Sequence, residues 1–273
     1  MEALRHILRF YIKGSIHVAL AVVALTGVTM LEFSIESSAS LLLFIFFGTV
    51  TAYNFIKYAA VAKFRHRSLS VNLRAIQIFS FLCFIGLIYF ALRQPWPILL
   101  ASSLLGLVSL FYEIPLYPKN KNLRSISGIK IFVIALSWAG VTVILPALAG
   151  DVFYTSALLI TFIQRCLFII ALTIPFDIRD LGLDEPQLGT IPQIYGAESA
   201  RITGILLLGL VVLLEVLKTG VGIQEVIVLI VIATITYYLV RKSTEVQSKY
   251  FASFWVEGVP ILWWALLLLA SSF

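Results

Sequence analysis

The chain reads as an all-α integral membrane protein, a bundle of nine transmembrane helices forming a single polytopic domain over residues 1–273. Three observations carry that reading. Sixty per cent of the 273 residues are hydrophobic and only 12% are charged, with a mean hydropathy of +1.01, a balance no soluble domain of this size shows. The apolar residues are gathered into runs close to the about 20 residues that a helix needs to cross the hydrocarbon core. The short loops between those runs alternate sharply in charge, as expected where only helices can satisfy the backbone in lipid.

In chain order, Arg5, Arg9 and Lys13 precede an apolar run over residues 15–31. That run is long enough to span and no convincing cleavage site follows, so it reads as an uncleaved first helix. Further spans are predicted at 40–62, 74–92, 95–113, 127–150, 154–176, 200–218, 222–241 and 254–272, with Pro146, Pro175 and Pro260 near helix ends. The N-terminus and the loops after the second, fourth, sixth and eighth runs hold sixteen of the twenty Lys and Arg, whereas the opposite loops hold only Arg93 and Lys218. Glu32, Glu36 and Asp151 lie on that opposite side. The asymmetry predicts a cytoplasmic N-terminus and a C-terminus on the far side. The net charge of +6 then belongs to topology and to membrane lipids, and no nucleic-acid partner is expected.

The two remaining cations, Lys57 and Arg165, fall inside spans, where charge is expensive and marks function by default. Arg165 lies about 12 residues before Asp177, roughly 18 Å of helix, near mid-membrane; Glu215, Glu257 or a neighbouring backbone could partner it. His17, one turn into the first span, and Cys83 and Cys166, which lack metal or disulfide spacing, read as packing residues. Trp96, Trp255, Trp263 and Trp264 read as interfacial anchors.

The longest polar interval, residues 175–201, places Asp177, Asp180 and Asp184 within eight residues. If the preceding helix continues through Asp184, offsets of three, four and seven stack all three on one face. Like charges so placed ask for a counter-cation, and hard oxygen ligands suit Mg²⁺, which commonly takes one or two carboxylates together with substrate phosphates. The plainer alternative is a solvated acidic loop paired with Arg179 and nearby lysines. Gly189, Thr190, Pro192 and Gly196 mark the turn into the next helix.

The block DIRDLGLDEPQLGTIPQIYGAESAR resembles the second aspartate-rich motif of the UbiA superfamily of membrane prenyltransferases, Asp-x-x-Asp-x-x-x-Asp followed by Thr-x-Pro-x-x-x-Gly. Tyr117-x-x-x-Lys121 is similar to the Tyr-x-x-x-Lys motif that the family carries in the loop after its fourth helix. Lys119, Lys121, Arg124 and Lys130 form a cationic cluster there, suited to a diphosphate. The resemblance implies a nine-helix fold in a cytoplasmic membrane such as the bacterial inner membrane, with the site facing the cytoplasm. It further implies Mg²⁺ on Asp177, Asp180 and Asp184, with Asn54, Lys57, Tyr117, Lys121 and Arg179 on the substrate. The implied substrates are a prenyl diphosphate and a hydrophobic acceptor, aromatic or lipid.

The family's first aspartate-rich motif is missing. At its place only Asn54 survives, and the three aspartate positions fall on Phe55, Tyr58 and Ala62. Lys57 is the expected replacement, either contacting phosphate or pairing with the aspartates into a metal-free pseudo-site. A prenyltransferase is therefore the leading expectation. A degenerate relative that binds an isoprenoid or quinone-like lipid, or a membrane partner, is the alternative, and a transporter ranks last.

Overall fold

The structure, a computed structural model, describes residues 2–64, 71–113, 127–152, 155–184 and 188–272. Among the described residues it is all helical. α1 (Glu2–Lys13), α2 (Ile16–Glu32), α3 (Ala39–Phe64), α4 (Val71–Ala91) and α5 (Trp96–Glu113) make up the first half. α6 (Ile129–Ala139) runs through a π-helical turn, Gly140–Ile144, into α7 (Leu145–Ala149), and α8 (Ser156–Arg179), α9 (Ile191–Glu215) and α10 (Ile223–Lys242) follow. A second π-helical turn, Phe251–Val256, leads into α11 (Val259–Ala270).

Each predicted span coincides with a helix. Seven helices are individually long and apolar enough to cross a membrane, α1 and α2 form a bent pair with 60° between them, and Trp96–Tyr112 is a shorter apolar helix. The bend follows from Gly14 and from Ser15, whose φ of 61° is left-handed. α9 begins earlier than the predicted residue 200: Pro192 occupies its first turn and the Gln193 side chain accepts from the Thr190 N–H at 3.0 Å, forming an N-terminal cap. Gly196, at φ 81° and ψ 161°, breaks that first turn from the rest of the helix.

α2 is the axis of the bundle, with Ala19, Ala21, Leu25 and Val28 at 0% exposure. It packs against α3 and against α11, so the last span returns to the first, while α8 packs on α6 and α9. In lipid the drive for such contacts is close van der Waals packing, which small residues permit. The small face of α2, including Ala21, Ala24 and Gly27, does this; a Cβ at Gly27 would land in the Trp264 indole. Trp263 departs from its predicted anchor role. It is buried at the bundle centre, edge-on to Phe168 with centroids 5.1 Å apart, because it faces inward one residue before Trp264. Trp96 and Trp255 are exposed.

Candidate functional site

The aspartate block lies where α8 ends, and it ends sooner than predicted. Arg179 is the last helical residue and Asp180 is the C-cap. The Asp180 carbonyl then accepts from both the Leu183 and Asp184 N–H groups, at 2.9 and 2.8 Å. This tight turn, rather than a continuing helical face, folds Asp184 back toward Asp177.

The two carboxylates converge on one cation. Lys130 Nζ donates to Asp177 Oδ1 at 2.9 Å and to Asp184 Oδ2 at 2.8 Å. The Asp177 side chain is only 4% exposed, Asp184 16% and Lys130 21%. Asp180 points elsewhere, gripped by Arg179 through Nε and Nη2, both at 2.8 Å. That two-pronged geometry is the one a guanidinium fork favours.

Two left-handed glycines bring Lys130 to the site. Gly128 (φ 78°), just before α6, donates its N–H to the Leu188 carbonyl at 2.8 Å. Gly189 (φ 54°) packs on Ser127 so closely that a Cβ there would overlap the hydroxyl. The loops entering α6 and α9 are thereby stapled together, and Lys130 on the first turn of α6 is aimed at the end of α8.

Lys57 does not pair with the aspartates. Its ammonium donates to Ser15 Oγ at 2.9 Å and lies 5.8 Å from the Tyr53 ring centre, because its turn of α3 packs beside the α1–α2 bend. Asn54 is occupied in holding helices together: Nδ2 donates to the Gly14 carbonyl at 3.1 Å and Ser80 Oγ at 2.8 Å, and Oδ1 accepts from Ser15 Oγ at 2.8 Å. Tyr58 donates to the Lys13 carbonyl at 3.0 Å. Tyr117, Lys119, Lys121 and Arg124 lie outside the described residues.

Among the described residues, no group of three or more His, Cys, Asp or Glu is placed to hold a metal ion. Asp177 and Asp184 nonetheless share one cation position, and two carboxylates with open positions fit Mg²⁺, which keeps waters and takes substrate phosphates. The ammonium of Lys130 is the cation there now.

Two further features lie apart from the aspartate cluster. A cavity of about 860 Å³ lies among α3, α4, α5 and α6, lined by apolar groups such as Phe44, Phe84 and Trp138 with Tyr53, Asn54 and Ser80. That volume is within the range of small-molecule sites. Arg165 belongs to a separate, buried cluster: it donates to the Leu25 carbonyl at 3.1 Å and Thr29 Oγ1 at 3.2 Å, and its guanidinium lies 5.2 Å from the Trp263 ring centre. Nearby, Lys218 pairs with Glu215 at 2.8 Å and Glu32 at 3.7 Å, and Gln164 donates to Glu215 at 2.7 Å. His17 is satisfied, as a packing residue should be, by the Tyr11 hydroxyl at 2.8 Å and the Phe254 carbonyl at 2.9 Å.

No family model matches the sequence, and no curated protein matches it. Solved structures do. A UbiA homologue from Archaeoglobus fulgidus with GPP and Mg²⁺ bound superposes with a TM-score of 0.64 at 15% identity, covering 97% of this chain and 100% of that one. A UbiA homologue from Aeropyrum pernix K1 gives 0.57 at 16% identity over 93% and 98%. A structure of digeranylgeranylglyceryl phosphate synthase gives 0.56 at 19% identity over 99% and 97%. At such identities the likeness is one of fold, and it extends over the whole bundle.

Proposed function

We propose that this chain, which has the fold of the UbiA homologues, is a membrane prenyltransferase. It takes a prenyl diphosphate at the bundle end that carries the aspartates and passes the prenyl group to a hydrophobic acceptor, aromatic or lipid. The observation that supports this reading above the others is the convergence of Asp177 and Asp184 on one cation position beside Arg179. It sits in a fold that matches a GPP- and Mg²⁺-bound homologue over its full length.

In this reading Asp177 and Asp184, with Asp180 once Arg179 turns to phosphate, hold Mg²⁺. Bound there, Mg²⁺ supplies neutralisation of the leaving group's charge. Lys130 and Arg179 donate to the diphosphate oxygens, and Lys57, Tyr117 and Lys121 add donors from α3 and the segment after α5. Asn54 positions the α1–α2 bend rather than touching substrate, since its amide is fully engaged. The cavity among α3 to α6 takes the prenyl chain. The allylic C–O bond breaks with its electron pair leaving on diphosphate; the new bond forms from the acceptor's electron pair, and the acceptor loses a proton to solvent. The site faces the cytoplasm, in a membrane of the bacterial inner type.

Asp180→Ala tests the reading cleanly, because it leaves the Lys130 bridge intact. The wild-type protein in detergent should show a thermal midpoint raised by farnesyl or geranylgeranyl diphosphate only with Mg²⁺ present. In Asp180→Ala that shift and all turnover should be lost while the ligand-free midpoint stays close to wild type. Full turnover in the variant would refute the assignment.

A second reading is a lipid-binding relative without chemistry. It is favoured by Phe55 and Tyr58 on α3, which offer no carboxylate, and by the pairing of all three aspartates with Lys130 and Arg179. Under it, isoprenoid or quinone-like lipids bind equally well in EDTA.

A further inference from the structure

We propose that Lys130 is a built-in counter-ion that fills the cation position between Asp177 and Asp184 in the ligand-free protein, so that a divalent metal enters only together with a diphosphate. This rests on the reading of the site as a diphosphate site and assigns a binding order to it.

The geometry carries the inference. One nitrogen lies 2.9 and 2.8 Å from the two carboxylates, whereas Mg²⁺ in the same place would sit about 2.0–2.1 Å from its oxygens. The two cations cannot share that position. A metal arriving alone must push the ammonium aside yet leave it a few ångströms from a dication, in a place where Asp177 is almost wholly buried and repulsion is weakly screened. The anchorage of Lys130 keeps it near, because its α6 turn is tied to the entry of α9 through the Gly128 N–H to Leu188 carbonyl bond. Its second carboxylate partner, Asp184, stands on the short turn that the Asp180 carbonyl closes.

A diphosphate reverses the balance. Its oxygens accept from the displaced ammonium in charge-assisted hydrogen bonds, and the flexible four-carbon stem allows that short swing without moving the backbone. The metal then takes the carboxylates while the anion separates it from Lys130. Lys130 thus makes metal and diphosphate binding mutually dependent, and by linkage the dependence is equal in both directions. Asp180 and Arg179 form a second, self-neutralised pair beside it, so the exchange at Lys130 is the step that sets whether metal is accepted alone.

The probe is Mn²⁺ alone, and then Mn²⁺ with saturating inorganic pyrophosphate, each followed as metal retained with the full-length protein in detergent against a protein-free control at the same pyrophosphate concentration. Wild type should bind Mn²⁺ about tenfold or more tightly with pyrophosphate than without. Lys130→Met should bind Mn²⁺ alone more tightly than wild type does, and its coupling to pyrophosphate should be smaller than in wild type, the remainder being the metal's own bond to the anion. Lys130→Arg, which keeps the charge, should retain weak binding of metal alone, and it decides the matter if Lys130→Met does not fold. Tight binding of Mn²⁺ alone by wild type would overturn the proposal, as would Mn²⁺ affinity unchanged in Lys130→Met or strengthened in Lys130→Arg. Coupling to pyrophosphate with no binding of farnesyl diphosphate would refute the prenyl reading while leaving the role of Lys130 standing.

Discussion

Arg165 and Lys130 show how much one cation depends on its surroundings. Arg165 is almost wholly buried and is held by the Leu25 carbonyl, Thr29 and the Trp263 face. Removing a buried donor leaves its acceptors without a partner. Arg165→Met should therefore destabilise the protein by about 1–3 kcal/mol, measured by denaturant titration in detergent, since the Leu25 carbonyl and the Thr29 hydroxyl would lose the guanidinium. Arg165→Lys should recover part of that loss but not the stacking on Trp263; a neutral Arg165→Met would show that the cluster is not coupled. An intramembrane cation is easy to find in a sequence because its cost in lipid is a property of the residue itself. Its partners are not, because Leu25 and Thr29 lie 140 and 136 positions away. The same limit hid Lys130, which looked like one of four loop cations until its contacts with Asp177 and Asp184 were known.

Between elements, close approach depends on residues with no side chain. The α2–α11 contact passes over Gly27, where an added Cβ meets the Trp264 ring. Gly27→Ala should cost about 1–3 kcal/mol through overpacking, read as a lowered thermal midpoint, and Trp264→Leu in the same chain should restore part of it. Independent, additive losses would instead mean that the two do not touch. The helix that carries the aspartates illustrates a different rule. A three, four, seven spacing is compatible with one helical face, but Asp180 caps α8 and its carbonyl is used to close a turn. The turn is closed by backbone groups while the Asp180 carboxylate takes Arg179, and neither feature leaves a mark in the spacing, which therefore fits a helix and a turn alike. Both arrangements bring Asp184 back over Asp177; only the turn frees Asp180 for Arg179.

For the molecule as a whole, the proposed orientation places the aspartate end in the cytoplasm and the Glu36 and Asp151 loops outside. In a chain with Cys83 and Cys166 replaced, a cysteine at Glu36 should react with a membrane-impermeant maleimide on intact spheroplasts. One at Glu245 should react only after the membrane is opened. The reverse pattern would invert the topology and move the site to the far side. The last span packs on α10 and on α2, so the end of the chain closes on its first long helix.

The sequence by itself determined the class and the positions of the apolar helices, because the demand that lipid makes on a helix is local: about 20 apolar residues and flanking charge. It also located the aspartate block, since clustered carboxylates are conspicuous in so apolar a chain. Only the tertiary structure decided which cation neutralises that block. By sequence Lys57, inside a span, is the expected partner of the aspartates, and Lys130 belongs to a loop cluster suited to a diphosphate. The choice fell to packing: the α1–α2 bend draws Lys57 to Ser15, while the Gly128 to Leu188 bond aims Lys130 at Asp177 and Asp184. Pairings set by the meeting of distant segments have no periodicity or local spacing to betray them.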